Sequence, residues 1–312
     1  SRVSPLIKHE FLQLFAWQKS IRNEQFALVP SLTKPGQSSP VKRFARISSN
    51  LPDVCRLGLA TRGNTKPTAD DVFLAYERGI NYWNWCGHED GMSEAVRNLG
   101  TEREKVVVAV QLGGWGREGM RRELEGALET LRTEYIDIVT LYYVESEGEW
   151  EEIISDNGAI KALQEAREQK LIRAIGLTSH QRPLAAKWAQ TGLLDMLMIR
   201  YNAAHRGAEL EVFPVTDSLR LPVACFTCLR WGALLKATKD DPPDFQAPTA
   251  PDCYRFVLSN PSVSIALMAP DNREELLENL SLLDDWRAMT DNELAAMLRY
   301  GDRVHATAGT FA

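Results

Sequence analysis

The sequence predicts an α/β chain folded as a (β/α)8 TIM barrel. Two observations carry this: short apolar runs alternate with amphipathic helical stretches from residue 55 onward, at roughly 30 residues per unit, and eight such units can be counted, with no G-x-G-x-x-G after the first run. The count favours closure over an open sheet, and the missing glycine pattern disfavours a doubly wound dinucleotide fold.

The strands are expected in order at Cys55–Ala60, Ile80–Asn84, Lys105–Gln111, Tyr135–Tyr142, Leu171–Thr178, Met196–Tyr201, Val223–Thr227 and Val263–Met268. Each is a short β-branched or apolar run, and the third carries four valines. Helices are expected at Ala69–Arg78, Ser93–Leu99, Arg117–Leu131, Ala159–Gln169, Pro183–Thr191, Ala208–Leu219 and Arg273–Leu282, where apolar residues recur at helical spacing. Residues 51–285 form the barrel in this reading. Residues 1–50 form an extension, with an amphipathic helix (Leu6, Phe11, Leu14, Phe15, Ile21) and a Pro/Ser/Gly-rich linker. Residues 286–312 form a helical tail, with its helix around Asn292–Val304. The polar stretch from Asp240 to Pro251 reads as a long loop.

Composition narrows the function classes. A net charge of -6 and a pI near 5.5 give no general attraction to nucleic acid or anionic membrane. The chain has no apolar run long enough to span a bilayer and no signal-peptide block. Five cysteines, an odd number scattered through expected strands, point to a reducing cytoplasm rather than a disulfide framework. Cys225 and Cys228, with Cys253, are too few for a structural zinc site and read as packed thiols. The expected partner is a small molecule, and the oligomeric state is left open.

Seven segments in order carry a family resemblance, among them Gly79-Ile80-Asn81-Tyr82-Trp83-Asn84, Arg103-Glu104-Lys105-Val106-Val107-Val108-Ala109, Leu131-Arg132-Thr133-Glu134-Tyr135-Ile136-Asp137, Lys170-Leu171-Ile172-Arg173-Ala174-Ile175-Gly176 and Glu278-Asn279-Leu280. Over roughly residues 45–285 the chain resembles the aldo-keto reductases. That resemblance implies a barrel enzyme that moves a hydride between a nicotinamide and a carbonyl carbon. The family uses an Asp, a Tyr acid, a Lys that lowers the Tyr pKa, and a His.

At the matching positions this chain has Asn84 for the Asp, Gln111 for the Lys and Tyr142 for the His. The Tyr position falls on Glu89, or on His88 with a one-residue slip. The tetrad is degenerate but consistent: a charged Asp–Lys pair is exchanged for two amides, Asn84 and Gln111, expected to hydrogen-bond each other. Tyr142, at a strand's carboxyl end, is the expected acid or base, with His88, Glu89 and His180 within reach of the same pocket. Of the tryptophans, Trp83 is expected in the core and Trp85 at the pocket mouth.

The resemblance also implies cofactor contacts. Thr178, Ser179 and Met198 match positions that hold the nicotinamide carboxamide, and Phe226 matches the ring-stacking aromatic. Thr227, Leu229 and Arg230 match the pyrophosphate loop, and Glu278 and Asn279 match adenine contacts. Asp271 stands where many members carry an Arg for a 2′-phosphate, with Arg273 two residues on. NADP or NAD is the implied cofactor, with the preference open. Two other readings of the same barrel stand beside carbonyl reduction: a non-redox lyase or isomerase, and a non-catalytic nucleotide-binding barrel.

Overall fold

In the computed structural model the described residues are 41–63 and 65–307. The helix expected within the first 21 residues lies outside them. Eight parallel strands close a barrel: β3 (Leu57–Ala60), β4 (Tyr82–Trp85), β5 (Val107–Leu112), β6 (Ile136–Leu141), β7 (Ile172–Ser179), β8 (Met196–Arg200), β9 (Val223–Phe226) and β10 (Ile265–Met268), with β10 hydrogen-bonded back to β3. All eight expected strands are present, displaced by one or two residues at their ends.

A small antiparallel hairpin, β1 (Phe44–Ala45) with β2 (Val54–Cys55), precedes the barrel. The run expected as one strand, Cys55–Ala60, is divided: Cys55 belongs to β2 and Leu57–Ala60 to β3. The hairpin places Ile47, Leu51 and Val54 in one apolar cluster with the inward-facing Tyr82, Ile138 and Ile265, so the barrel interior is filled from its amino end.

The two faces of each strand separate cleanly. On β4, Tyr82 belongs to the interior cluster, while Trp83 and Trp85 pack with the surrounding helices. This follows from the two-residue period of a strand. Trp85 is therefore core, not pocket mouth: it is 1% exposed, and its indole N–H donates to the His88 carbonyl at 2.7 Å. On β3, Gly58 faces inward among Ile265, Leu267 and Tyr82, whose side chains would lie 3.0 Å from an added Cβ. Gly58→Ala is expected to cost about 1–3 kcal/mol through overpacking. Chemical denaturation would measure this, and an unchanged midpoint would show that the interior is looser than described.

Helices cover the barrel: α1 (Ala69–Glu77), α2 (Gly91–Asn98), α3 (Arg117–Leu131), α4 (Glu147–Ile154), α5 (Ala159–Glu168), α6 (Arg182–Ala189), α7 (Ala208–Glu211), α8 (Phe213–Leu219), α9 (Ala250–Ser259), α10 (Arg273–Leu280) and α11 (Asp291–Thr307). The single helix expected over 208–219 is broken at Val212. Pro214, in the first turn of α8, has no N–H to continue the ladder. The expected loop to Pro251 ends at Thr249, which caps α9. That loop is tied down: Arg303 of α11 pairs with Asp241 at 2.7 Å, and the Tyr300 hydroxyl donates to the Lys236 carbonyl at 2.6 Å.

One buried charge cluster braces the barrel wall. Asp137, with no exposed surface, accepts from Arg103 at 2.8 Å, from Arg173 at 2.9 Å and from the Val108 N–H at 2.9 Å. Both guanidiniums also lie over the Tyr135 ring. A buried carboxylate with three charge-assisted or backbone partners avoids the penalty of an unpaired one.

Candidate active site

At the carboxyl rim a cleft of about 670 Å³ opens among the loops that follow the strands. Rims of this kind hold the working residues of barrel enzymes. The cleft is continuous from the barrel mouth (Asn84, Gln111, Tyr142, Met198, Phe226) to the turn after β9 (Thr227 to Gly232) and the segment after β10 (Ala269 to Asn279).

Asn84 and Gln111 both reach the mouth because they share the inward parity of Tyr82 and Ala109. The expected bond between their amides is not formed. Gln111 Nε2 lies 3.2 Å from Met198 Sδ, and Asn84 Oδ1 is buried with no hydrogen-bond partner. The reason is geometric. Asn84 is paired in register with Ala109, so Gln111 sits one inward position further along, and its longer side chain spans the barrel to Met198. An amide oxygen left unpaired costs roughly 1–3 kcal/mol, and the residue that carries it lines the cleft.

His88 and Glu89 separate. His88 lines the cleft. Glu89 points away, with its side chain 75% exposed and paired with Arg97 at 3.3 Å. Tyr142 lines the cleft and is 44% exposed, its N–H anchored on the Leu112 carbonyl at 2.9 Å. The next residue, Tyr143, was not anticipated. Strand alternation would turn it outward, but its φ of 43° breaks the alternation and brings it into the cleft beside Tyr142, ring centroids 4.2 Å apart. Burial above all, then the neighbouring Tyr142 and Glu145, pushes the Tyr143 phenol up to about 12. It stays a protonated donor across the physiological range. Behind it His180 stacks at 4.4 Å and is fixed by Glu145, whose Oε1 accepts the His180 backbone N–H at 2.9 Å and lies 3.1 Å from Nδ1. The doublet Tyr142-Tyr143 at a strand end was the available sequence signal.

On the cofactor side, Met198, Phe226, Thr227, Leu229, Asp271, Glu278 and Asn279 all line the cleft. Thr178 and Ser179 lie below its wall. Thr178 Oγ1 is buried without a partner, and Ser179 Oγ accepts from the Gln181 N–H at 3.0 Å. Arg230 is 4% exposed and lies outside the wall. Arg273 also lies outside it, paired with Asp71 at 3.4 Å. Asn202 holds the turn after β9 in place: its Nδ2 donates to the Thr227 carbonyl at 2.9 Å, and its Oδ1 accepts from the backbone of Ala204 and His205. Thr227, Arg230, Trp231 and Gly232 all have positive φ, and the turn closes on itself: the Arg230 N–H donates to the Thr227 carbonyl at 2.9 Å and the Gly232 N–H to the Leu229 carbonyl at 3.1 Å.

Cys225, Cys228 and Cys253 are buried, and burial pushes the Cys228 thiol up to about 12. These are packing groups, not nucleophiles. Among the described residues no helix is long and apolar enough to cross a membrane.

The Aldo/keto reductase family pattern matches residues 56–253. The chain is 26% identical over 191 residues to the NADH-specific methylglyoxal reductase of Escherichia coli (strain K12), covering 53% of this chain and 57% of that protein. It is 24% identical over 210 residues to L-galactose dehydrogenase of Arabidopsis thaliana, covering 60% of this chain and 63% of that protein. The chain thus spans less than two thirds of the length of these relatives. Among solved structures, aldo-keto reductase AKR11C1 from Bacillus halodurans superposes with a TM-score of 0.68 at 16% identity, over 83% of this chain and 95% of that one. An aldo/keto reductase from Klebsiella pneumoniae in complex with NADP and acetate superposes with a TM-score of 0.65 at 18% identity, over 80% and 92%. The pattern runs from the start of the first barrel strand into the helix before the last, and on that ground the chain belongs to the aldo/keto reductase family.

Proposed function

We propose that this chain is a nicotinamide-dependent oxidoreductase that interconverts a small carbonyl compound and its alcohol, with Tyr142 as the proton donor and acceptor. The observation that carries the reading is the single cleft joining the barrel mouth to the loops after the last two strands, where barrel folds frequently bind phosphate. The residues present fit a dinucleotide. The turn from Thr227 to Gly232 lines the stretch of cleft where a diphosphate would lie, and Phe226 supplies an aromatic wall. The unpartnered Asn84 Oδ1 is an acceptor for an amide or hydroxyl donor. Family membership supports the same reading, as do a relative named for NADH specificity and a structural neighbour bound to NADP.

The bound nicotinamide would supply the hydride chemistry. This chain's residues supply position and the proton. Tyr142 is partly exposed at the mouth, so its hydroxyl can exchange its proton with solvent between turnovers. Tyr143, held protonated and backed by the His180–Glu145 pair, offers a second hydroxyl beside it. Asn84 and Gln111 keep the mouth polar but uncharged. His88 lines the same cleft from the β4 side. The free cysteines Cys55, Cys86, Cys225, Cys228 and Cys253 fit a reducing compartment, and we place the enzyme in the cytoplasm.

Trp231 is 67% exposed on the cleft wall and should report occupancy. Titration with NADH or NADPH is expected to quench tryptophan fluorescence saturably. No saturable change with either nucleotide would remove the cofactor from the account.

A further inference from the structure

We propose that the cleft selects NAD(H) over NADP(H), and that Asp271, held by Arg62, sets the preference. This rests on the nicotinamide-dependent reading above and deepens it. Among the described residues, the cleft wall carries three carboxylates, Asp271, Glu275 and Glu278, against one arginine or lysine, Arg62. The three carboxylates come from one stretch, the turn after β10 and the first two turns of α10. That stretch follows β10, the hydrogen-bonded neighbour of β9, and shares the cleft with the turn after β9; a dinucleotide with its reactive ring at the mouth and its diphosphate against that turn would bring its second ribose to it.

The single wall cation is already engaged. Arg62 Nη2 donates to Asp271 Oδ1 at 2.5 Å, between the loops after the hydrogen-bonded neighbours β3 and β10. Asp271 is held from a second side, its N–H donating to Glu275 Oε2 at 2.8 Å, which keeps two carboxylates on the same turn. Arg273 is outside the wall, on Asp71. A phosphate monoester carries a charge of about -1.5 to -2 at neutral pH and would meet like charge with, among the described residues, no uncommitted arginine or lysine on the wall. A ribose diol has the opposite fit: its hydroxyls donate, and carboxylates accept.

The experiment is calorimetric titration of the full chain with NADH and with NADPH, without carbonyl substrate, repeated for Asp271→Asn and at raised ionic strength. NADH is expected to bind at least roughly tenfold tighter than NADPH. Asp271→Asn removes one charge and releases Arg62, so the ratio should shrink severalfold, mainly through tighter NADPH binding. Salt should narrow the ratio in the unmutated protein too, because repulsion at a half-exposed site is screened; this second reading does not depend on the variant folding. NADPH binding as tightly as NADH overturns the preference, and a ratio that neither Asp271→Asn nor salt moves overturns the role of Asp271; both leave the cofactor site intact. Failure of both nucleotides to bind overturns the parent reading and this one with it.

Discussion

Asn84→Asp is expected to lower stability by about 3 kcal/mol at neutral pH, because it places a carboxylate at a position only 2% exposed with no charged partner. The penalty has a definite pH sign. Burial raises the new carboxyl's pKa in the folded state, so the loss is fully present at neutral pH, fades as pH falls through that raised value, and is gone below about 4, where the acid is protonated in both states. Adding Gln111→Lys should restore much of the loss. Position 111 sits diagonally across the same inward face, within reach of a long side chain. Urea denaturation of the two single variants and the double variant forms a cycle. A coupling near zero would mean that Asn84 and Gln111 do not stand in for an interacting pair, and that the neutral mouth is two independent substitutions.

Tyr142→Phe is expected to cost about 10²- to 10⁴-fold in kcat, the usual contribution of a positioned acid–base group. Nucleotide affinity should stay within about twofold, since the ring remains and only the hydroxyl is lost. Tyr143→Phe should cost less, because its phenol stays protonated and sits beside the donor rather than in its place. Steady-state kinetics paired with fluorescence titration separates the two effects. A Tyr142→Phe enzyme with kcat within about threefold of the parent would transfer the proton role elsewhere, first to His88 on the same wall.

The barrel was legible because its signals are periodic. Alternation on the strands and helical spacing between them survive substitution at the rim. Strand ends slipped by a residue or two, since end positions are set by neighbouring registers rather than by the run itself. Two helices went unread although both carried start signals. Ser146 with Glu149 forms a capping box at α4, and Thr249 with Asp252 forms one at α9. The break at Val212 was also legible in Pro214. Trp85 shows how a sound rule can go unused. Its inward neighbour Asn84 fixes it outward, although an aromatic beside a site residue invites a place at the mouth.

The site was legible in its positions and not in its contacts. Asn84, Gln111, Tyr142, Met198 and Phe226 all face the cleft, as strand parity and rim position imply. Side-chain reach is another matter. That Gln111 would find Met198 rather than Asn84 depends on distances across the barrel, which spacing along one strand does not contain. The choice between His88 and Glu89 depends on the path of a polar loop in which Glu89 is drawn outward by Arg97. Tyr143 depends on one left-handed backbone angle that no local pattern announces.

Carbonyl reduction at a cleft whose wall, among the described residues, carries no lysine is tested most directly by isotope transfer. Purified protein is incubated with NADH carrying deuterium at nicotinamide C4, in turn on each face, and a panel of small aldehydes and ketones. The alcohols are then read by mass spectrometry. The account expects deuterium on the carbinol carbon of at least one product, from one face only, at a rate that Tyr142→Phe cuts steeply. Saturable nucleotide binding with no deuterium in any alcohol would contradict it, and would leave a barrel that holds the dinucleotide without using it.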